Sequence, residues 1–350
     1  LTISVQIGNY TINNNSEPFI IAEAGINHNG EIKKAFEMIE VAKNCGCNVI
    51  KFQTYKTEEF ILDKNLTYTY LSQGKEITES QYDMFKRYEF SKYEWYKIKA
   101  CCNKNNIMFL STPQNISDLN LLLELDIPAI KVGSDDFTNT CLLKRYKKTN
   151  LPIILSCGMS YLHEIHNILN IFEDNYPLIL MLCTSEYPTN YNSVNITKLK
   201  TLEKRFKHKV ILGFSDHTIG SLSASMAVAL GAKVFEKHFT LSNSFPGPDH
   251  WFSENPNTLK DWVNKIKQSH IVLGNEIIEP TEKEKEMRLI AKRSIVALTD
   301  IEPGELLTVD NIGLCRPGTG IPAERYEGIL GSWAIRNINK GKTLEWEDFY

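Results

Sequence analysis

The chain has 350 residues, 42% hydrophobic and 23% charged, with a formal net charge of −3. This is the profile of a globular protein longer than one average domain. It leaves no broad basic face, which excludes nucleic acid and anionic membrane as general partners. No apolar run approaches the ~20 residues that span a bilayer. The first ten residues, Leu1 to Tyr10, carry neither a basic leader nor a signal-type apolar core, so a cytoplasmic protein is expected.

From Phe19 onward a short apolar strand, a turn and an amphipathic helix alternate. Strands are expected at Phe19–Glu23, Val49–Gln53, Met108–Thr112, Ala129–Val132, Ile153–Ser156, Leu178–Cys183, Val210–Ser215 and Val234–His238. Helices are expected at Ile32–Cys45, Lys92–Asn103, Ser117–Leu125, Ile219–Gly231 and Asn257–Leu273. Strand–helix repeats of this number, with right-handed crossovers, predict an α/β fold, a (β/α)8 TIM barrel. A doubly wound open sheet competes, but no Gly-x-Gly-x-x-Gly turn follows the first strand. The spacer from Thr54 to Ser91 is long, and its Tyr-, Thr- and Leu-rich part, Asp63–Gln73, suits a lid or flank over the strand ends.

The charged run over residues 274–292 ends the barrel pattern. Beyond it come short strand signals, Gly/Pro turns and little helix. Ile301-Glu-Pro-Gly-Glu-Leu-Leu-Thr-Val-Asp-Asn-Ile echoes in Ile338-Asn-Lys-Gly-Lys-Thr-Leu-Glu-Trp-Glu-Asp-Phe, aligning Gly304 with Gly341 and Leu307 with Leu344. Two half-motifs in one small domain predict a pseudo-two-fold β fold. The expected organisation is a barrel over 1–275, a linker over 276–291 and a small β-rich domain over 292–350. Cysteines at 45, 47, 101, 102, 141, 157, 183 and 315 lack zinc spacing and read as reduced structural thiols.

In such a barrel the chemistry sits at the carboxyl ends of the strands. Those ends carry Glu23, Lys51 and Gln53, Ser111 and Thr112, Lys131 and Ser134, Ser156, Thr184 and Ser185, Ser215 to His217, and Glu236 with His238. The strand bodies are mostly apolar. Lys131, Ser134, Ser156 and Ser215 suit a small phosphorylated anion. His217 and His238 suit a divalent metal, with Glu23, Gln53, Asp216, Glu236 and Asp249 as nearby groups. Set against that are two unrelated strand-end histidines. A metal would polarise an aldehyde for carbonyl addition; a Schiff base on either lysine is the competing chemistry. His28 reads as a loop residue, His250 beside Asp249 is ambiguous, and His163, His166, His208 and His270 read as surface residues. Ser111 and Thr112 also suit capping of strand-end backbone groups, and Tyr187 packing beside Pro188.

Nine segments then resemble one family. They are Ile21-Ala-Glu-Ala-Gly-Ile-Asn-His-Asn-Gly30, Lys51-Phe-Gln-Thr54, Ser111-Thr-Pro113, Lys131-Val-Gly-Ser134, Leu155-Ser-Cys-Gly-Met159, Cys183-Thr-Ser-Glu-Tyr-Pro188, Gly213-Phe-Ser-Asp-His-Thr218, Glu236-Lys-His-Phe-Thr240 and Pro246-Gly-Pro-Asp249. Together they resemble the sialic acid (N-acetylneuraminate) synthase family, legionaminic acid synthases included. The C-terminal residues, with Arg316-Pro-Gly-Thr-Gly320, look like its antifreeze-like SAF (β-clip) domain.

The resemblance implies condensation of phosphoenolpyruvate with an N-acylated hexosamine, N-acetylmannosamine being the expected sugar, to a nine-carbon 2-keto acid and phosphate. It implies a divalent metal, Mn2+, Mg2+ or Co2+, on His217 and His238. Lys51, Lys131, Ser134, Ser156 and Ser215 would bind phosphoenolpyruvate, and Glu23 would manage the water or proton. Gln53, Tyr187 and Asp249 would face the sugar, with Thr112, Ser185 and Glu236 also on the substrate. It further implies a domain-swapped homodimer in which Arg316 reaches the partner's sugar. Phe52 and Ser185 depart from some bacterial members, which have His and Asn there, and Glu186-Tyr187-Pro188 resembles legionaminic acid synthases. The alternative sugar is therefore 2,4-diacetamido-2,4,6-trideoxymannose. The alternative of another class is a non-catalytic carbohydrate-binding protein.

Overall fold

The bodies of the expected strands are apolar on both faces, so these strands must be covered on both sides. The computed structural model, which describes residues 3–350, meets that demand with eight parallel strands. We number them β1 (Phe19–Gly25), β2 (Val49–Thr54), β3 (Met108–Pro113), β4 (Ile130–Val132), β5 (Ile153–Ser156), β6 (Leu178–Cys183), β7 (Ile211–Asp216) and β8 (Val234–His238). The ladder runs β3-β2-β1-β8-β7-β6-β5-β4. First and last strands pair, and the sheet curls into a nearly closed TIM barrel. The bounds agree with the expected strands to within a residue or two, the usual play of strand ends.

Side chains alternate between the two faces. Outward residues such as Ile20, Ile50, Phe109, Leu155, Leu212 and Phe235 join the layer shared with the helices. Inward residues change character with height. Phe19, Ile21, Val49, Leu110, Ile154, Ile179, Ile211 and Val234 fill the lower interior. One pleat higher stand Glu23, Lys51, Thr112, Lys131, Ser156, Ser215 and Glu236. An N-terminal hairpin, Ser4–Ile7 with Tyr10–Asn13, adds Val5, Ile7 and Ile12 to the lower interior. Its strands are only four residues long each, too short for a periodic signal, and the sequence reading passed over it.

Three expected elements differ in form. The helix expected at Ile219–Gly231 spans only Leu222–Ala229. The spacer after β2 folds as a helix Thr57–Phe60, an antiparallel hairpin Thr67–Ser72 with Lys75–Ser80, and a helix Gln81–Tyr88. The hairpin turns at Gln73-Gly74, both with positive φ (50° and 76°), the requirement of the tight turn that matches strand twist. The charged connector contains a helix, Glu282–Ala291, opened by a capping box between Thr281 and Glu284.

The chain divides into two compact units after Gly274. In the second, Ser294–Ala297 pairs antiparallel with Ile312–Cys315. The sequence echo reappears as geometry. Ile301 and Ile338 exchange both backbone hydrogen bonds, Leu307 and Leu344 are both fully buried, and Gly304 and Gly341 both take positive φ, 85° and 83°. Asn311 accepts from the Thr308 amide as Asp348 accepts from the Glu345 amide. Each half thus closes with the same side-chain-to-backbone turn.

Gly213 marks how tightly the barrel is wound. A Cβ there would come within 2.8 Å of the Val234 carbonyl oxygen and 2.9 Å of the Met181 side chain. Gly213→Ala is expected to cost ~1–3 kcal/mol of overpacking strain, read as a lowered urea midpoint. An unchanged midpoint would refute close winding at β7–β8.

Candidate active site

The polar upper pleat opens into a cavity of about 480 Å³ at the carboxyl ends of the strands. The expected site residues line it, except Ser111, Thr184, Asp216, Asp249 and Arg316. Asp249 lies in an adjoining chamber of about 280 Å³ that shares Gln53, Tyr187 and His238 with the cavity. Arg316 belongs to the second unit, where it is exposed and its Nε donates to the Ala291 carbonyl.

At the floor, four buried charges alternate in sign. Lys51 Nζ is 2.8 Å from Glu23 and 3.7 Å from Glu236, and Lys131 Nζ is 3.5 Å from Glu236. Neighbouring strands in register place them, with Glu23 beside Lys51 and Ser215 beside Glu236. Ser215 donates to Glu236 at 3.0 Å, Lys131 donates to Ser156 at 2.8 Å, and Lys51 donates to Thr112 at 3.3 Å. Burial works against the Glu236 carboxylate, but Lys131 and Lys51 outweigh it and bring its pKa to about 2. Burial wins at Glu23, raising its pKa against the pull of Lys51. The two carboxyls are thereby shifted in opposite directions, Glu236 down and Glu23 up. The lysines part likewise. Burial lowers Lys131, while Glu23 and Glu236 overcome burial to raise Lys51.

Above Lys131 the backbone approaches closely. Gly158 N donates to Ser134 Oγ at 3.0 Å, and a Cβ on Gly158 would fall 2.5 Å from Ser185 Oγ and 2.6 Å from Ser134 Oγ. Ser185 Oγ is buried without a hydrogen-bond partner. Hydroxyls, an amide and a lysine gathered on one side make a cradle for an oxyanion.

On the other side stand the histidines, their ring centroids 5.5 Å apart. His217 Nδ1 lies 2.7 Å from the Thr184 carbonyl, which calls for a proton on Nδ1 and leaves Nε2 as a donor atom. Burial disfavours the His217 cation, yet the Cys183 sulfur and Thr184 carbonyl more than offset it, so its pKa is raised. His238 is held well below its ordinary value by burial, His217 and Lys51. Its Nδ1 is buried without a hydrogen-bond partner, 3.8 Å from Asp249. Burial raises Asp249 to about 7. Two adjacent imidazoles, one with a buried unpartnered nitrogen, fit a divalent ion whose other positions stay open. Among the described residues no group of three or more His, Cys, Asp or Glu side chains is placed to hold a metal ion.

Asp216 is not part of this group. It faces outward from β7, pairing with Lys237 at 2.9 Å and accepting from Trp262 Nε1 at 3.0 Å. Strand alternation puts the residue beside an inward histidine on the opposite face. The same rule turns Ser111 outward, where its hydroxyl meets Thr54 at 2.7 Å. Glu236 serves as the shared counter-ion of two lysines rather than as a metal donor. His28 and His250 are buried; His28 stacks on Phe90, and His250 bonds Thr240 and Asn29. Tyr187 is more than a neighbour of Pro188, since its ring lies 4.2 Å from that of His217.

The cavity also contains residues the sequence reading missed. Asp135 and Met159 follow strands that were read correctly. Cys183, read as a small core hydrophobe, ends the inward row Ile179, Met181, Cys183 and sits 3.9 Å from His217 Nδ1. The excursion after β2 contributes Phe60, Tyr68 and Phe85, which only the aromatic richness of that segment foreshadowed.

The NeuB family model matches residues 38–278, and the SAF domain model matches residues 292–349. An N,N'-diacetyllegionaminic acid synthase from Campylobacter jejuni is 38% identical over 93% of this chain and 98% of its own length. A pseudaminic acid synthase from the same species is 33% identical over 99% of this chain and 100% of its own. The crystal structure of an N-acetylneuraminic acid synthetase from Leptospira borgpetersenii, in complex with citrate, superposes with a TM-score of 0.73 at 33% identity. It covers 82% of this chain and 95% of that one.

Glu236→Gln leaves two buried ammonium groups without their shared anion, so stability at pH 7 should fall by ~3–5 kcal/mol. The folded-state pKa of Glu236 lies below its unfolded value, so its contribution is present above about pH 5 and vanishes as pH falls towards about 2. The gap between wild type and variant should therefore close on acidification. A gap independent of pH in urea denaturation would refute the ionised assignment.

Proposed function

The chain belongs to the NeuB family and carries a SAF domain, and on that footing we propose that it condenses phosphoenolpyruvate with an N-acylated hexosamine in its open-chain aldehyde form. The observation that carries this reading is the cavity floor: a two-lysine, shared-carboxylate cradle for an anion beside a pair of imidazoles. The products are phosphate and a nine-carbon 2-keto sugar acid.

Lys131, Ser134, Ser156, Ser215 and the Gly158 amide would hold the phosphate and carboxylate of phosphoenolpyruvate, with Lys51 completing the positive side. His217 and His238 would hold a divalent ion, Mn2+, Mg2+ or Co2+, which when bound polarises the sugar aldehyde. The C2–C3 π pair of phosphoenolpyruvate forms the new bond to the aldehyde carbon, whose oxygen takes up a proton. Water adds at C2 and gives up a proton, for which Glu23 is placed and tuned by burial. The C2–O bond to phosphate then breaks. The lysines are fixed before the reaction starts, so they offset the charge of the departing phosphate with no cost of reorganisation.

Two sugars fit the reading. N-acetylmannosamine would give the neuraminate-type product. The side chamber would suit 2,4-diacetamido-2,4,6-trideoxymannose, since Ile26, Met84, Phe85 and Pro248 line it alongside Gln53, Tyr187 and Asp249. Apolar walls suit the C6 methyl and a second acetyl group better than a hydroxymethyl. We also place the protein in the cytoplasm as a domain-swapped homodimer. All eight cysteines are free thiols, and no helix among the described residues is long and apolar enough to cross a membrane. Exposed Ile277, Ile278, Met287 and Ile290 mark an uncovered apolar surface of the kind that subunits bury.

Phosphate release from phosphoenolpyruvate, with sugar and Mn2+, tests the reaction. The diacetamido sugar should exceed N-acetylmannosamine in kcat/KM by tenfold or more, on the order of the discrimination one or two apolar groups provide. His217→Ala should abolish turnover while leaving the circular dichroism spectrum intact. No release with either sugar by the metal-loaded protein would favour the carbohydrate-binding alternative and sink the synthase reading.

A further inference from the structure

The strands that present His217 and His238 inward carry a buried ion pair on their outward face. Asp216 and Lys237 are cross-strand partners in the β7–β8 register, one step beyond the inward pair Ser215 and Glu236. Both are enclosed: Asp216 is fully buried and Lys237 is 2% exposed. A charge so placed needs full compensation, and here it has it. Lys237 Nζ lies 2.9 Å from Asp216 Oδ2 and 3.4 Å from Glu254, and donates to the Thr218 and Gly220 carbonyls at 2.6 and 2.8 Å. Asp216 accepts from the Thr218 amide and hydroxyl at 2.9 and 2.7 Å and from Trp262 Nε1 at 3.0 Å.

These contacts bracket both histidines. His217 lies between Asp216 and Thr218, which are bonded to each other over its backbone. His238 follows Lys237 directly, and its carbonyl accepts from the Glu254 amide at 3.0 Å. Glu254 in turn accepts from Gly220 N at 3.3 Å, tying the chain after β8 to the chain after β7. Inside the barrel the rings have aromatic neighbours, Tyr187 for His217 and Tyr187 with Phe252 for His238, but few hydrogen bonds to aim them. His217 is oriented by Thr184, and His238 Nδ1 has no hydrogen-bond partner.

We propose that Asp216 and Lys237 are positioning residues that set the separation and aim of the two imidazoles from the far side of the barrel wall. They touch neither substrate nor ion and act through the backbone of the residues beside them. This inference rests on the metal reading given above. A pair that served only to join sheet and helix would contribute to stability alone.

The test uses the full chain titrated with Co2+, whose visible absorption reports the ligand geometry. Wild type should give a saturable spectrum, and His217→Ala should lose it. Asp216→Asn and Lys237→Met should bind Co2+ about 10–100-fold more weakly, with an altered band pattern and a fall in kcat larger than any change in KM. The double variant D216N/K237M removes both charges together and keeps the test alive if a single variant folds poorly. Tyr146→Phe, which loses a buried hydrogen bond to the Pro113 carbonyl, controls for destabilisation and should leave Co2+ affinity unchanged. A wild type without a Co2+ spectrum, or a His217→Ala that keeps it, overturns the metal reading together with this inference. A loaded wild type and a blank His217→Ala, with pair variants matching wild type or weakened no more than Tyr146→Phe, overturns the inference alone.

Discussion

Everything at the mouth of this barrel is organised around one carboxylate between two ammonium groups. Glu236 is buried, and so are Lys51 and Lys131. None of the three could be ionised there alone, because an isolated charge in such surroundings gives up its charge instead. Glu23 completes the balance, so the floor holds two acids and two bases with little net charge. Both lysines are buried and held by carboxylates, so an anion bound there would meet ammonium groups already fixed in place. The shared carboxylate lets both ammonium groups be buried together.

Much of this was legible in the chain because a strand in a parallel barrel obeys one simple rule. Side chains alternate, so residues two apart point together, and a row such as Ile21, Glu23 or Val49, Lys51, Gln53 changes from apolar to polar where the interior meets the mouth. The strand ends and their polar residues follow from that row. The same rule, applied one residue further, would have turned Asp216 and Ser111 away from the cavity. A cluster such as Ser-Asp-His, taken as a set without assigning faces, puts Asp216 beside the histidines when it sits behind the wall.

Other parts of the site were hidden for a different reason. Phe60, Tyr68 and Phe85 reach the cavity from an excursion whose course depends on tertiary contacts, and no local period announces it. Cys183 sits in an apolar run where only its register distinguishes cavity from core. The second unit is a different case, its fold foreshadowed by an internal repeat. There, Leu307 and Leu344, with the glycine three residues before each, give the two halves one construction.

The hairpin over the mouth is stitched at its tip to the loop that carries Asp249. Ser72 Oγ accepts from the Gly247 amide at 3.0 Å, and Gln73 Nε2 donates to the Ser244 carbonyl at 2.8 Å. Tyr68, five residues from that tip, and Asp249, two residues beyond Gly247, therefore line one chamber from segments anchored to each other. The wall that would grip a sugar's substituents and the acid that would meet its hydroxyls are thus a single mechanical part. A chimera that takes a relative's hairpin without the matching 242–250 loop would inherit a chamber whose walls no longer register, whatever its catalytic floor retains.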